Sequence, residues 1–279
     1  MSVKVAVRVR PFNSREIELQ SELCLEMTHN TTTIKDLSSG NKRDFSFDYS
    51  FWSHDCFDTT PDGLYVKNSD KYADQQFVFE KVGIEILDNA WLGYHCCLFA
   101  YGQTGAGKSY SMVGYGPNKG IVPISCEEIF SRINKNDNPN KEFQIQFSML
   151  EIYNEKIQDL LIPINKRPLG GLKVREHKTL GIYVEDLTKH PVDSYESIEV
   201  KMEEGNRNRT IGSTLMNACS SRAHTIITIE FKQIDTVDKR KSEKLSIINL
   251  VDLAGSEKLG KTGATGDRMK EGRYIKSFI

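Results

Sequence analysis

The amino-acid sequence predicts an α/β domain with a central, mostly parallel mixed sheet and helices on both faces. Three observations carry that expectation. Apolar runs of strand length alternate with segments of helical periodicity. One such run, YHCCLFAYG at 94–102, leads straight into a glycine-rich turn. Two long stretches, 223–233 and 244–255, have the near-continuous apolar character of strands inside a sheet. The 279 residues, 38% of them hydrophobic, suffice for one large core, so a single domain is expected.

Taken in order, the chain opens on MSVKVAVRVRPF, where valines alternate with Lys4, Arg8 and Arg10 in a strand that Pro11 stops. No continuous apolar run marks a signal peptide there. A strand-rich zone follows from 24 to 52, broken by the polar turn DLSSGNK. Residues 75–93 place apolar side chains at 79, 82, 86, 87 and 90, the pattern of an amphipathic helix closing at Gly93. A helix is expected near 121–134, after the loop GYGPNKG. FQIQFSMLEIY at 143–153 alternates as a strand and is expected to lead into a short helix, NEKIQDLL. Residues 172–187 read as a hairpin and 194–209 as a helix capped by Ser194. The last two strands are separated by the charged turn DTVDKRKSE.

Composition excludes several classes of function. Lys plus Arg (37) nearly balance Asp plus Glu (38), so the net charge of -1 provides no global field for nucleic acid or an acidic membrane. A polyanionic partner would have to meet a local patch. Six cysteines, at 24, 56, 96, 97, 126 and 219, lack metal-ligand spacing. The adjacent pair lies in an apolar run, where small core residues and a reduced compartment are expected. No run is long enough to span a bilayer, and a soluble cytosolic protein is expected.

The chemistry concentrates in three places. In AYGQTGAGKSY, Gly102, Gly107, Lys108 and Ser109 fit GxxxxGKS, a phosphate-binding loop. The backbone amides of Gly102, Gln103, Thr104, Gly105, Ala106, Gly107 and Lys108 would cradle phosphates. Lys108 would supply charge and Ser109 a hydroxyl for magnesium. A glycine-rich helix start with an exposed lysine would look similar, but the hydrophobic run just upstream favours the phosphate reading. In IINLVDLAGSE a hydrophobic strand ends at Asp252, where a carboxylate can hold magnesium through water, and Gly255 can present an amide to a γ-phosphate. DLAG alone is weak; beside a phosphate loop it is strong. In NACSSRAHT, Ser220 and Ser221 can position water or complete a magnesium shell, with Ser221 as the metal candidate, and Arg222 can pair with Glu257. The bland alternative there is an ordinary serine-rich turn.

These residues, RVRP at 8–11, AYGQTGAGKS, NACSSR at 217–222 and DLAGSE at 252–257, resemble in order those of the kinesin motor domain, a P-loop NTPase. The likeness covers nearly the whole chain. VRVRPFNSRE, FDYSFWSHD, GLKVREH and YVEDLTK are similar to the plus-end transport subfamily whose tails often carry forkhead-associated modules. The resemblance implies ATP and ADP with Mg2+ as cofactors. It implies that Arg8, Arg10 and Pro11 border the adenine while Tyr110 stacks on it. It also implies that Ser220 and Ser221 form one switch and that Asp252, Gly255 and Glu257 form another, with Glu257 bridging to Arg222. The implied partner is the microtubule, met through Lys173, Arg175, His177 and Lys178 and through Lys258, Lys261, Arg268 and Lys270. Cargo or an adaptor would be bound by a tail, with no nucleic acid and no direct membrane contact. The expected setting is the cytoplasm and its cytoskeleton. A non-motile, nucleotide-dependent microtubule-binding protein is the alternative.

The sequence departs from the family pattern twice. Ala223 stands where SSRSH has its third serine, removing a hydroxyl near the nucleotide. EGRYIKSFI replaces the family's EGxxINKSL with one position fewer. By the resemblance, the motor is truncated after the second switch.

Overall fold

The computed structural model describes residues 3–178, 181–215, 222–237 and 240–256, except for the side chains of 212–215. The first half runs β1 (Ala6–Val9), α1 (Ser14–Glu18), β2 (Leu25–Thr28), β3 (Thr31–Lys35), β4 (Lys42–Ser46), β5 (Tyr49–Trp52), β6 (Phe57–Thr59), β7 (Tyr65–Lys67), α2 (Gln75–Val78), α3 (Ile84–Trp91), β8 (Cys96–Ala100) and α4 (Lys108–Met112). The second runs β9 (Gly114–Tyr115), β10 (Asn118–Lys119), α5 (Ile121–Asn134), β11 (Lys141–Tyr153), β12 (Lys156–Asp159), β13 (Val174–His177), β14 (Gly181–Val184), β15 (His190–Val192), α6 (Tyr195–Leu215), β16 (His224–Val237) and β17 (Arg240–Asp252).

The main sheet has the order β12-β11-β16-β17-β8, with β15 also pairing to β11. It is mixed, but its described pairs are antiparallel except β17–β8, so the expectation of a mostly parallel sheet is corrected. The reason is local. Direct hairpins join β11 to β12 and β16 to β17, and a hairpin can only make antiparallel neighbours.

Register explains where the core sits. Ile145, Phe147 and Met149 oppose Phe231, Ile229 and Ile227, which oppose Ser246, Ile248 and Leu250, and the last two oppose Cys96 and Leu98. This row forms the buried face, with Phe147, Ile229 and Ile248 fully enclosed, each worth about 1.5–3 kcal/mol of burial. The described helices α2, α3, α5 and α6 share that core, and α5 touches the other three. Helices were expected on both faces; α2, α3, α5 and α6 stack on this one. On the other face Thr228 donates to Asn249, and Cys97 and Phe99 are exposed. The two adjacent cysteines therefore part: Cys96 is core and Cys97 is not, because a strand turns successive side chains to opposite faces.

Residues 75–91 are helical as expected, with a π-helical turn at Phe79–Gly83 and Asp74 capping the Phe77 amide at 2.7 Å. Sheet side chains close its far end: Ser246 donates to the Ala90 carbonyl (2.6 Å) and Gln233 to that of Trp91 (2.9 Å). α5 has the expected bounds, and Ser194 caps α6 by accepting from the Ser197 amide. NEKIQDLL is not a helix. Asn154 (φ 49) and Glu155 (φ 60) make a left-handed two-residue turn that folds β12 back on β11, a conformation open to Asn at small cost. Most of the expected charged turn is also strand: Asp235–Val237 end β16 and Arg240–Glu243 open β17, paired out to Val237 and Arg240, with Lys232 bridging to Glu243 at 2.7 Å.

Candidate functional site

β8 delivers the chain into the glycine-rich turn, and α4 carries it away. Gly107 sits at φ 94 with the Arg10 side chain 3.8 Å from where a Cβ would be, and Gly105 sits at φ 78 facing open space. Only glycine takes both torsions without strain. Lys108 folds over the turn, its Nζ donating to the carbonyls of Gly102 (3.0 Å) and Gln103 (3.1 Å). An ammonium is thus held over backbone that an anion could compete for.

Parallel pairing of β17 with β8 places Asp252 opposite Ala100, at the start of the same turn. From there its Oδ2 accepts the Ser109 hydroxyl at 2.5 Å, joining two residues 143 positions apart. Asp252 is 6% exposed, and its buried Oδ1 has no hydrogen-bond partner among the described residues. Beyond it, the Leu253 amide donates to Ala100 (3.2 Å), Ser256 to Gly102 (3.1 Å) and Ala254 to His224 Nδ1 (3.1 Å). The intervening Gly255 amide has no acceptor among the described residues.

The opposite wall is built from β1. Arg8 donates through Nε to Ser53, through Nη1 to Gln75 and Ser111, and through Nη2 to the Ala73 carbonyl, with its guanidinium carbon 5.3 Å from the Tyr110 ring centre. Burial lowers its pKa. Arg8 therefore backs Tyr110 from within. Tyr110 lies between Tyr65 (6.3 Å) and Tyr115 (6.1 Å), and burial followed by the neighbouring Tyr72 pushes its phenol well above the ordinary range. Arg10 donates to the Gly105 carbonyl (2.6 Å), to that of Pro11 and, through both Nη atoms, to Glu16 (2.7 and 2.8 Å). That pairing holds the Glu16 carboxyl down at about 2.

The structure thus brings together Arg8, Arg10, Pro11, the whole turn from Gly102 to Tyr110, Asp252 and Gly255. Arg222 is half-buried just ahead of β16. Ser220, Ser221, Glu257, Lys258, Lys261, Arg268 and Lys270 lie outside the described residues. Reading the sequence missed the residues that hold the arginines, Ser53, Gln75, Ser111 and Glu16, and also missed His224. One signal was present: Asn13 and Glu16 form a capping box at α1, whose Asn-x-x-Glu spacing is visible in NSRE.

The donor set fits a hard divalent cation. A hydroxyl and a carboxylate converge beside a phosphate-type loop, where Mg2+ keeps several waters and takes the rest of its ligands from phosphate. No cluster of three or more His, Cys, Asp or Glu exists among the described residues, and such an ion does not need one. The described cysteines, 24, 56, 96, 97 and 126, are unpaired thiols. No described helix is long and apolar enough to cross a membrane.

Comparison with known proteins agrees with this geometry. Kinesin-related protein 1 of Dictyostelium discoideum is 47% identical over 296 residues, covering all of this chain and 13% of the relative. Kinesin-like protein KIF1A of Rattus norvegicus is 48% identical over 284 residues, covering all of this chain and 16% of the relative. The chain therefore spans less than a fifth of the length of these two curated relatives. Among solved structures, KIF14 with ADP in complex with a microtubule superposes with a TM-score of 0.84 at 38% identity, over 99% of this chain and 75% of that one. A fast kinesin gives 0.83 at 35% identity, over 98% and 71%. The family model for the kinesin motor domain matches residues 8–278, from the arginine behind Tyr110 almost to the last residue, and the chain belongs to that family.

Proposed function

We propose that this chain is an ATP-hydrolysing microtubule motor whose turnover is stimulated by its track. The observation that carries the reading is the Ser109–Asp252 pair closing on the glycine-rich turn, beside a Gly255 amide that has no acceptor among the described residues. When bound, ATP with Mg2+ supplies a transferable phosphoryl group whose charge the cation helps to spread. The chain's own groups do the rest. The amides of the turn bind phosphate oxygens, and Lys108 exchanges its contacts with Gly102 and Gln103 for them. Ser109 and Asp252 would hold the cation between them. The Gly255 amide meets the γ-phosphate. Arg10 and Pro11 border the base, and Tyr110, stiffened from behind by Arg8, stacks on it. Ser220 and Ser221 position the attacking water, and an Arg222–Glu257 bridge closes the site. Phosphoryl transfer by such a site depends on positioning and charge more than on a strong base.

The track-facing surface in this reading includes the β13–β14 hairpin, which is exposed and carries Lys173, Arg175, His177 and Lys178. Arg175 already bonds Glu185 at 3.0 Å. Local basic groups of this kind suit an acidic polymer despite the neutral total. That a solved relative, KIF14, is described with a microtubule supports this partner. Likeness to the plus-end transport subfamily suggests plus-end-directed movement in the cytoplasm, with cargo or an adaptor bound by a tail.

The test is steady-state ATP hydrolysis with and without stabilised microtubules. Stimulation is expected, and Lys108→Ala should abolish it, a loss of at least about a hundredfold. Nucleotide binding without stimulation would instead indicate a non-motile microtubule-binding protein.

A further inference from the structure

His224 opens β16, two residues after Arg222, and is 5% exposed. Its Nδ1 accepts the Ala254 amide at 3.1 Å. Because that bond requires a lone pair on Nδ1, the neutral imidazole carries its proton on Nε2, and burial favours this neutral form by lowering the pKa. Ala254 is itself 1% exposed, so no water stands ready to replace the acceptor. The other two engaged amides of the turn, Leu253 and Ser256, are held from the opposite side by Ala100 and Gly102. The turn is thus pinned between the phosphate loop and the strand that follows Arg222, with the Gly255 amide left over.

We propose that His224 is a positioning residue. By accepting the Ala254 amide it sets the peptide plane next to Gly255, aims the Gly255 amide into the site, and ties the segment ending at Arg222 to the turn beginning at Asp252. Movement of either segment is then felt by the other through one bond. This inference rests on the ATPase reading for its kinetic consequence, though not for the bond itself. Asparagine can replace the acceptor, since its Oδ1 hangs from Cγ where Nδ1 does; leucine fills the space and accepts nothing.

The experiment compares the full chain with His224→Leu and His224→Asn, measuring amide hydrogen exchange across 250–256 without nucleotide and then ATP turnover. In His224→Leu, exchange at Ala254 should quicken and kcat should fall on the order of tenfold, the size of one buried amide left unpaired, with KM for ATP changed less. His224→Asn should keep exchange slow and kcat within about threefold of the parent. Unchanged exchange at Ala254 in His224→Leu, or an asparagine variant as impaired as the leucine one, would overturn the proposal. A parent chain without ATPase activity would sink the functional reading alone, because the exchange comparison would still decide whether His224 holds the turn.

Discussion

On the N-terminal flank of the glycine-rich turn, two arginines are held by side chains of α1, α2, α4 and Ser53 just after β5, and by the carbonyls of Ala73, Pro11 and Gly105. On the C-terminal flank, residues 252–256 are held by three backbone amides and one serine–aspartate bond. To move Arg8, four bonds in a largely buried setting must break together. To move the C-terminal turn, single bonds can yield one at a time, and each lies next to groups that a phosphate would touch. The first flank is a frame that stiffens Tyr110 and the loop; the second is suited to respond to occupancy. Segments that switch with a ligand are drawn from the less firmly held parts of a fold.

The largest effect should come from the responsive flank. Asp252→Asn keeps the shape and an oxygen for Ser109 but removes the charge. ATP hydrolysis should fall about a hundredfold or more while the melting temperature changes little. A large drop in melting temperature would mean that this flank is frame as well, and the contrast would be lost. Arg8→Met should do the reverse. Ser53, Gln75, Ser111 and the Ala73 carbonyl lose their donor, so urea unfolding should show a loss of about 3 kcal/mol, with a smaller change in turnover per folded molecule. The smallest effect lies at the Arg10–Glu16 bridge. Arg10 depresses the Glu16 carboxyl from 4.5 to about 2, so the contribution is complete above 4.5 and fades as pH falls towards 2. Both partners are partly exposed, which limits it to under about 1 kcal/mol. Urea unfolding at about pH 5 and pH 3 should show this increment in the parent and not in Glu16→Gln.

Much of the site was legible because phosphate chemistry demands residue types at short spacing. Gly102 through Ser109 is one contiguous stretch, and Asp252 closes an apolar strand. Elements with strong local signals also read correctly: α5, the serine cap of α6 and the 172–187 hairpin. The misreadings share a cause. NEKIQDLL has helix-forming residues, but the left-handed pair Asn154–Glu155 and cross-strand pairing with β11 outweigh that preference. Cys96 and Cys97 look alike in sequence and differ only in which face of β8 they occupy. Glu16 could have been found from its capping spacing, whereas Ser53, Gln75 and Ser111 carry no mark of their role.

What the sequence by itself determined is the inventory: a phosphate loop, a carboxylate strand end, and enough alternating elements to build an α/β core. The direction of strand pairing, the meeting of Ser109 with Asp252, the burial of Arg8 and the bond from His224 to Ala254 were decided only by the tertiary structure. The physical reason is distance along the chain. Propensity and spacing act over a few residues, whereas these contacts join positions tens to more than a hundred residues apart and exist only once the β17–β8 register and the helix packing have brought them within 3 Å or so of one another.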